Sequence, residues 1–379
     1  MEEKLPRASD PLLMTADVDM DVLEALEVDC VALNGLYNSV GVRNENYKEW
    51  VMPQGVKVEV PGDFSVTYDE DGSVLAYAQG DVNYPPSAKM PTGAMYFDGI
   101  VRPEDLEKKT DWDARKDYEG QFTPFTDEEL TRLEKISTDY YNNTEYSIIG
   151  TYFNAGLGDA FHIPAPWLKE VKGIRDVAEW FMGLHLHSSY LSDQFAMQTE
   201  ISLENLKSYY QAVGDRIDVI GVAAADYAYQ NGLLIGKDLY REMFMPHYKK
   251  INDWIHKNTS WKTFMHCCGA ITELLPEIIE SGFDIVNPVQ VSARGMDPAV
   301  LKEKYGKDIV FWGGGCDPQH SIAHKKPEEI YQETKANAEI FSRNGGFIGG
   351  NVHNVQYDVP PENLIAQLQA LKDTVPQAK

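Results

Sequence analysis

Short apolar runs alternate along most of this chain with longer stretches of helical periodicity. The runs fall at residues 28–33, 146–153, 217–224, 263–266, 284–287, 309–313 and 346–350. Each is only four to eight residues long and ends in a polar or glycine-rich loop, as a strand buried on both faces does. Between them, apolar positions recur at helical spacing over 126–142, 176–190, 203–213, 237–257, 271–281, 298–305 and 327–344. A last helix covers 361–374. Thr126 followed by Glu129 reads as a capping box. Strand alternating with helix predicts a parallel sheet covered by helices.

The first third has a different rhythm. A short helix is expected over 20–26. From 56 to 80 polar and apolar residues alternate, with Asp71-Gly72 at a hairpin turn, which predicts a small antiparallel β insertion. Seven parallel strands are one short of a (β/α)8 TIM barrel. The missing first strand either lies unrecognised near Leu12-Leu13-Met14 or is absent from the chain. No Gly-x-Gly-x-x-Gly follows a strand, so a doubly wound dinucleotide fold is the weaker alternative. The whole chain, 1–379, reads as one barrel domain carrying the 56–80 insertion.

Composition narrows the functional classes. With 34 basic and 59 acidic residues the formal net charge is −25. Such a surface repels nucleic acid and anionic membranes. No apolar run is long enough for a membrane span, and Met1-Glu2-Glu3-Lys4 does not open a signal peptide. A cytoplasmic location is expected. The four cysteines, Cys30, Cys267, Cys268 and Cys316, are too few and too clustered for a disulfide framework.

In a barrel, chemistry gathers where strands run into the following loops. Those ends here carry His266 and Cys268, then Cys316, then His353. An imidazole and two thiols form the nitrogen-and-sulfur set that Zn2+ prefers, and three protein ligands would leave one position for substrate. His266 and Cys268, two residues apart, point the same way on an extended segment, while Cys267 points into the barrel wall. Asp226 and His353 are the candidates for proton transfer. Tyr152, Tyr227 and Gln290 are the candidates for binding substrate.

Taken in order, Asp226-Tyr227-x-x-Gln230-Asn231-Gly232, His266-x-Cys268-Gly269, Asn287-Pro288-Val289-Gln290, Trp312-Gly313-Gly314-Gly315-Cys316-Asp317 and Asp358-Val359-Pro360 resemble the uroporphyrinogen decarboxylase superfamily. The resemblance runs from about residue 217 to 366 and implies a (β/α)8 barrel. True porphyrinogen decarboxylases carry an arginine-rich N-terminal motif that this chain lacks. The corrinoid-linked methyltransferase branch, which includes methylcobalamin:coenzyme M methyltransferases and O-demethylase components, binds zinc through His-x-Cys and a distant Cys. That resemblance implies zinc on His266, Cys268 and a third thiol. In the coenzyme M enzymes the third thiol lies nearer the last strand, where this chain has Gly349-Gly350-Asn351, so Cys316 is the thiol left to serve. It also implies a separate corrinoid (cobalamin) protein as partner, and a small methylated substrate or methyl acceptor. Porphyrinogen decarboxylation, and a non-catalytic barrel that only docks a corrinoid protein, are the rival readings. The oligomeric state is left open, a homodimer being one option.

Overall fold

The computed structural model describes residues 4–102 and 106–374, and these form two compact units. Of the described residues, the larger comprises 29–33, 134–157 and 198–374. The smaller comprises 4–28, 34–102, 106–133 and 158–197.

The larger unit is built on seven parallel strands: β1 (Cys30–Leu33), β2 (Ser147–Gly150), β3 (Val219–Ala224), β4 (Lys262–His266), β5 (Ile285–Asn287), β6 (Val310–Trp312) and β7 (Phe347–Ile348). Each pairs with its neighbour in sequence, from β1 at one edge to β7 at the other. This is the strand order of an α/β barrel of TIM type. All seven strands expected from the apolar runs are present. Of the two alternatives for the missing strand, the one near Leu12 does not hold: Ala8–Asp10 and Thr15–Ala16 form an antiparallel pair in the smaller unit, with Leu12-Leu13-Met14 in the turn between them. Among the described residues no ladder joins β7 to β1.

Helices alternate with these strands: α1 (Asp127–Asn143), α2 (Ser188–Val213), α3 (Lys237–Met243), α4 (Met245–Asn258), α5 (Leu275–Glu280), α6 (Pro298–Tyr305), α7 (Pro327–Phe341) and α8 (Pro361–Thr374). The capping box at α1 forms as expected, with Glu129 N–H donating to Thr126 and Thr126 N–H donating to Glu129. The single helix expected over 237–257 is two, divided at Phe244, because Pro246 has no N–H to continue the ladder and sits in the first turn of α4. Pro276 likewise restarts the chain at α5 after a 3-10 turn.

Alternate side chains of the strands fill the barrel interior. Ile149, Val219, Phe264 and Ile285 pack with Cys30, Phe153, Val310, Trp312 and Ile348. Phe153 takes a left-handed backbone (φ 41°), a strained conformation for a bulky residue. This swings its ring over Gly221, where a Cβ would lie 2.5 Å from the ring. Phe153 meets Phe264 edge to face at 5.8 Å, and Phe264 meets Trp312 at 5.0 Å. These three rings form a layer across the interior. At the strand N-termini a solvent-open cavity of about 1100 Å3 is lined by Val219, Lys262, Asp284 and Ile285 among others.

In the smaller unit, Lys48–Val51 pairs with Lys57–Val60, and Val66–Tyr68, Val74–Ala76, Ala88–Met90 and Asp98–Gly99 form a four-stranded antiparallel sheet. The β insertion is therefore longer than 56–80. The alternation that signals it buries Val58, Val60, Val74, Ala76, Ala88 and Met90 together. The Asp71-Gly72 turn forms, with Gly72 at φ 80°.

Candidate functional site

His266 closes β4 in phase with Phe264, so its side chain lies on the interior face at the C-terminal end. Its Nε2 is 3.4 Å from Cys268 Sγ. His353, in the loop after β7, crosses it with ring centroids 5.5 Å apart. Donor atoms of His266, Cys268 and His353 all lie within 4.8 Å of one another. His353 is exposed at one side, but desolvation by its packed neighbours, and after it the proximity of the His266 imidazole, lowers its pKa, against a smaller raising effect of Asp226. A neutral imidazole is the form that can bind a metal.

The surroundings fix this group. Asn287 ends β5 in register with His266. Its Nδ2 donates to the Trp312 carbonyl at 3.3 Å, which turns its Oδ1 towards His266 Nδ1 at 2.8 Å. An acceptor there requires His266 to carry its proton on Nδ1, leaving Nε2 with a bare lone pair beside Cys268. Asp226 accepts from the Cys268 N–H at 2.7 Å. Gln290 accepts from the Gly269 N–H at 2.9 Å and donates to Gln230 at 2.7 Å, which donates in turn to the Ser292 carbonyl. Gly269 has φ 92°, and a Cβ there would come within 2.9 Å of backbone atoms of Ala228 and Tyr229. A glycine is thus what allows the chain to turn directly after the thiol.

The other expected site residues lie elsewhere. Cys316 is not part of the group. Its thiol is buried with Ile322 and Ile330, accepts from Gln367 Nε2 at 3.5 Å, and is pushed up to about 12, by burial first and then by the charge of Glu333. Tyr152 is buried, and its hydroxyl donates to the Ser202 carbonyl at 2.5 Å. Tyr227 is fully buried, bonded to the Leu157 carbonyl and to Tyr248. Both tyrosines belong to the packing between strands and helices, because each points to the outer side of its strand end. Cys267 is also fully buried; burial and the charge of Asp226 push its thiol up, and it accepts from the Tyr227 N–H at 3.4 Å. Asp226 and Gln290 are at the group, holding its backbone. Asn287 and Gln230, to which no role was attached from sequence, complete it. For Asn287 the signal was available: it is the last residue of the strand next to the one His266 ends.

The donor set suits zinc: one thiol and two imidazoles, with one imidazole already held in the ligating tautomer.

Strand order, chemistry at the strand C-termini and the motif series place the chain in a known class. A family model for uroporphyrinogen decarboxylase (URO-D) matches residues 170–374, more than half of the chain, and the chain belongs to that family. A curated relative, the methylated-thiol–coenzyme M methyltransferase of Methanosarcina mazei, is 26% identical over 191 residues. The match covers 48% of this chain and 48% of the relative, so the chain spans about half the length of the relative it matches. Among solved structures, a methyltransferase from Methanosarcina mazei aligns at a TM-score of 0.48 with 19% identity, over 73% of this chain and 71% of that one. The N-(5'-phosphoribosyl)anthranilate isomerase of Pyrococcus furiosus aligns at 0.18 with 12% identity, over 41% of this chain and 89% of that one. Among the described residues no helix is long and apolar enough to cross a membrane.

Proposed function

We propose that this protein is a zinc-dependent methyltransferase that moves a methyl group between a small molecule and the cobalt of a separate corrinoid protein. The observation that carries the reading is the convergence of His266, Cys268 and His353 at the strand C-termini, with Asn287 selecting the His266 tautomer. The curated methyltransferase relative supports it. His266, Cys268 and His353 would hold the metal, and His353 here takes the place expected of Cys316. When bound, zinc would supply a Lewis acid for a sulfur or oxygen of the small molecule. The protein's own groups do the positioning. Asp226 and Gln290 clamp the Cys268-Gly269 backbone, so the thiol stays within 3.4 Å of the imidazole. The aromatic layer below closes the interior, so the reacting groups meet at the mouth.

Protein purified without added metal should contain close to one zinc per chain. Incubated with cob(I)alamin and a panel of methyl ethers, methanol, methylamines and methyl thioethers, it should form methylcobalamin, followed by absorbance. Turnover of uroporphyrinogen, with no methyl transfer from any panel member, would replace this reading by the decarboxylase.

A further inference from the structure

Phe153 is held in a way that packing alone does not call for. Its backbone is left-handed, at φ 41°, and its N–H donates to the Gly221 carbonyl at 2.6 Å. Its ring ends 2.5 Å from where a Gly221 Cβ would lie. A branched side chain at position 221 would fill that space from an unstrained strand. Instead β3 gives up a side chain and the loop after β2 accepts strain, so that an aromatic ring occupies the place. A strained bulky residue, and a glycine that admits its close approach, are features that gather at functional sites.

The ring lies one layer below the metal group. Gly221 pairs in register with Phe264, and Phe264 precedes His266 by two residues on the same face of β4. At about 3.3 Å per residue, that layer is about 6–7 Å below His266. Carbon atoms in contact stay about 3.5–4.0 Å apart, so roughly 3 Å remains, the thickness of a single layer of atoms. Phe153 and Trp312 are only partly buried. Neither they nor Phe264 line the wide cavity at the strand N-termini.

We infer that the uncovered faces of these rings receive the apolar end of a small molecule held at His266, Cys268 and His353, and that Phe153 sets its size limit. The site takes a molecule with one or two carbons beyond its bound sulfur or oxygen and gains nothing from a longer one. Phe153 is thus a specificity-determining residue. The inference rests on the function proposed above, because it concerns the molecule that the metal would hold.

The test is a chain-length series, methanethiol to pentanethiol. It is titrated into the zinc-loaded full chain by calorimetry, and into the Co2+-substituted protein by its visible spectrum. In the wild type, affinity should stop rising after ethanethiol. Phe153→Ala vacates the space of the ring. Each further methylene, up to butanethiol, should then tighten binding by about fourfold, with metal content at the wild-type level. Phe153→Gly takes φ 41° without strain and should give the same slope; it carries the test if Phe153→Ala fails to fold. Beside His353, the loops after β6 and β7 border a second cavity, of about 250 Å3. Wild-type affinity that climbs through pentanethiol would mean that the chain runs sideways into that cavity. A slope unchanged in both variants would mean that it never meets Phe153. Either result overturns the inference. Zinc content and methyl transfer, measured on the same preparations, separate the two proposals. A protein that holds zinc and transfers methyl groups, with one slope in wild type and variants, keeps the proposed function and loses Phe153 as its size limit. One that holds zinc and shows the expected slopes without methyl transfer keeps the size-limited metal site and loses the proposed function. One that holds no zinc and transfers no methyl group loses both.

Discussion

Replacing Asn287 by leucine isolates the contribution of the tautomer to metal binding. The two side chains are close in size, and Asn287 sits at the end of β5, half-buried. Leucine removes the acceptor 2.8 Å from His266 Nδ1 and the donor to the Trp312 carbonyl. One lost hydrogen bond costs about 1 kcal/mol net. The larger effect falls on the metal. Without the acceptor the imidazole is free to carry its proton on Nε2, the nitrogen facing Cys268, where it blocks ligation. Partners of this kind are worth about 10- to 100-fold in metal affinity, roughly 1.4–2.8 kcal/mol. Asn287→Asp keeps an acceptor in place and should keep zinc affinity near or above wild type. The assay is competition for zinc against a chromophoric chelator. The visible spectrum of the Co2+-substituted protein reports whether the sulfur-and-nitrogen ligand field survives. Wild-type zinc affinity in Asn287→Leu would show that Asn287 does not set the tautomer, and the reasoning from β5 to the metal would fail.

Other substitutions check separate parts of the site. His353→Ala should lose most of the bound zinc and Cys316→Ala should retain it, by elemental analysis; the reverse pattern would restore Cys316 as the third ligand. Cys267→Ser should keep zinc, at about 1 kcal/mol of stability for a polar swap at a fully buried position, read from chemical denaturation. Gly269→Ala should cost at least ~2 kcal/mol and lower zinc content, because φ 92° and the nearby backbone of Ala228 and Tyr229 leave no place for a Cβ. For Glu333, burial raises the pKa, but the Asp317 N–H at 2.8 Å, Lys325 and Ser321 outweigh it and leave the group below its ordinary value. Its contribution is therefore complete above about pH 4.3 and is lost as pH falls through the lower folded value. Glu333→Gln should cost about 1–2 kcal/mol at neutral pH and flatten the acid limb of the stability curve; an unchanged acid limb would refute the assignment.

The parallel strands were legible because burial on both faces leaves an uninterrupted apolar run. The runs at 217–224 and 309–313 sit within two residues of β3 and β6 at each end. Helix interruptions were less visible. Over 237–257 the apolar period runs on through Phe244, and only Pro246 betrays the break. The antiparallel sheets reach well beyond 56–80 because Ala88–Met90 and Asp98–Gly99 are too short to show an alternation. At the site, the phase of β4 put His266 and Cys268 together and Cys267 in the wall. The third donor was not readable from ligand type, because chemistry favoured a second thiol. Loop length and path after β7, which no periodicity records, bring His353 instead. The same applies to Tyr152 and Tyr227. A strand end is polar-rich whether its last side chain faces the mouth or the helices, and in both tyrosines the ring faces the helices.

The ring of Phe153 over Gly221 makes the barrel of the larger unit a stoppered vessel. The His266–Cys268–His353 group has its doorway at the strand C-termini, and the wide cavity lies at the opposite end of the strands. A bulky corrinoid protein seated over that doorway would seal it. The small molecule would then have to load before the protein partner arrives and leave after it departs. Such an order of arrival is visible in steady-state kinetics: excess corrinoid protein should inhibit competitively against the small substrate, while excess small substrate should leave docking untouched.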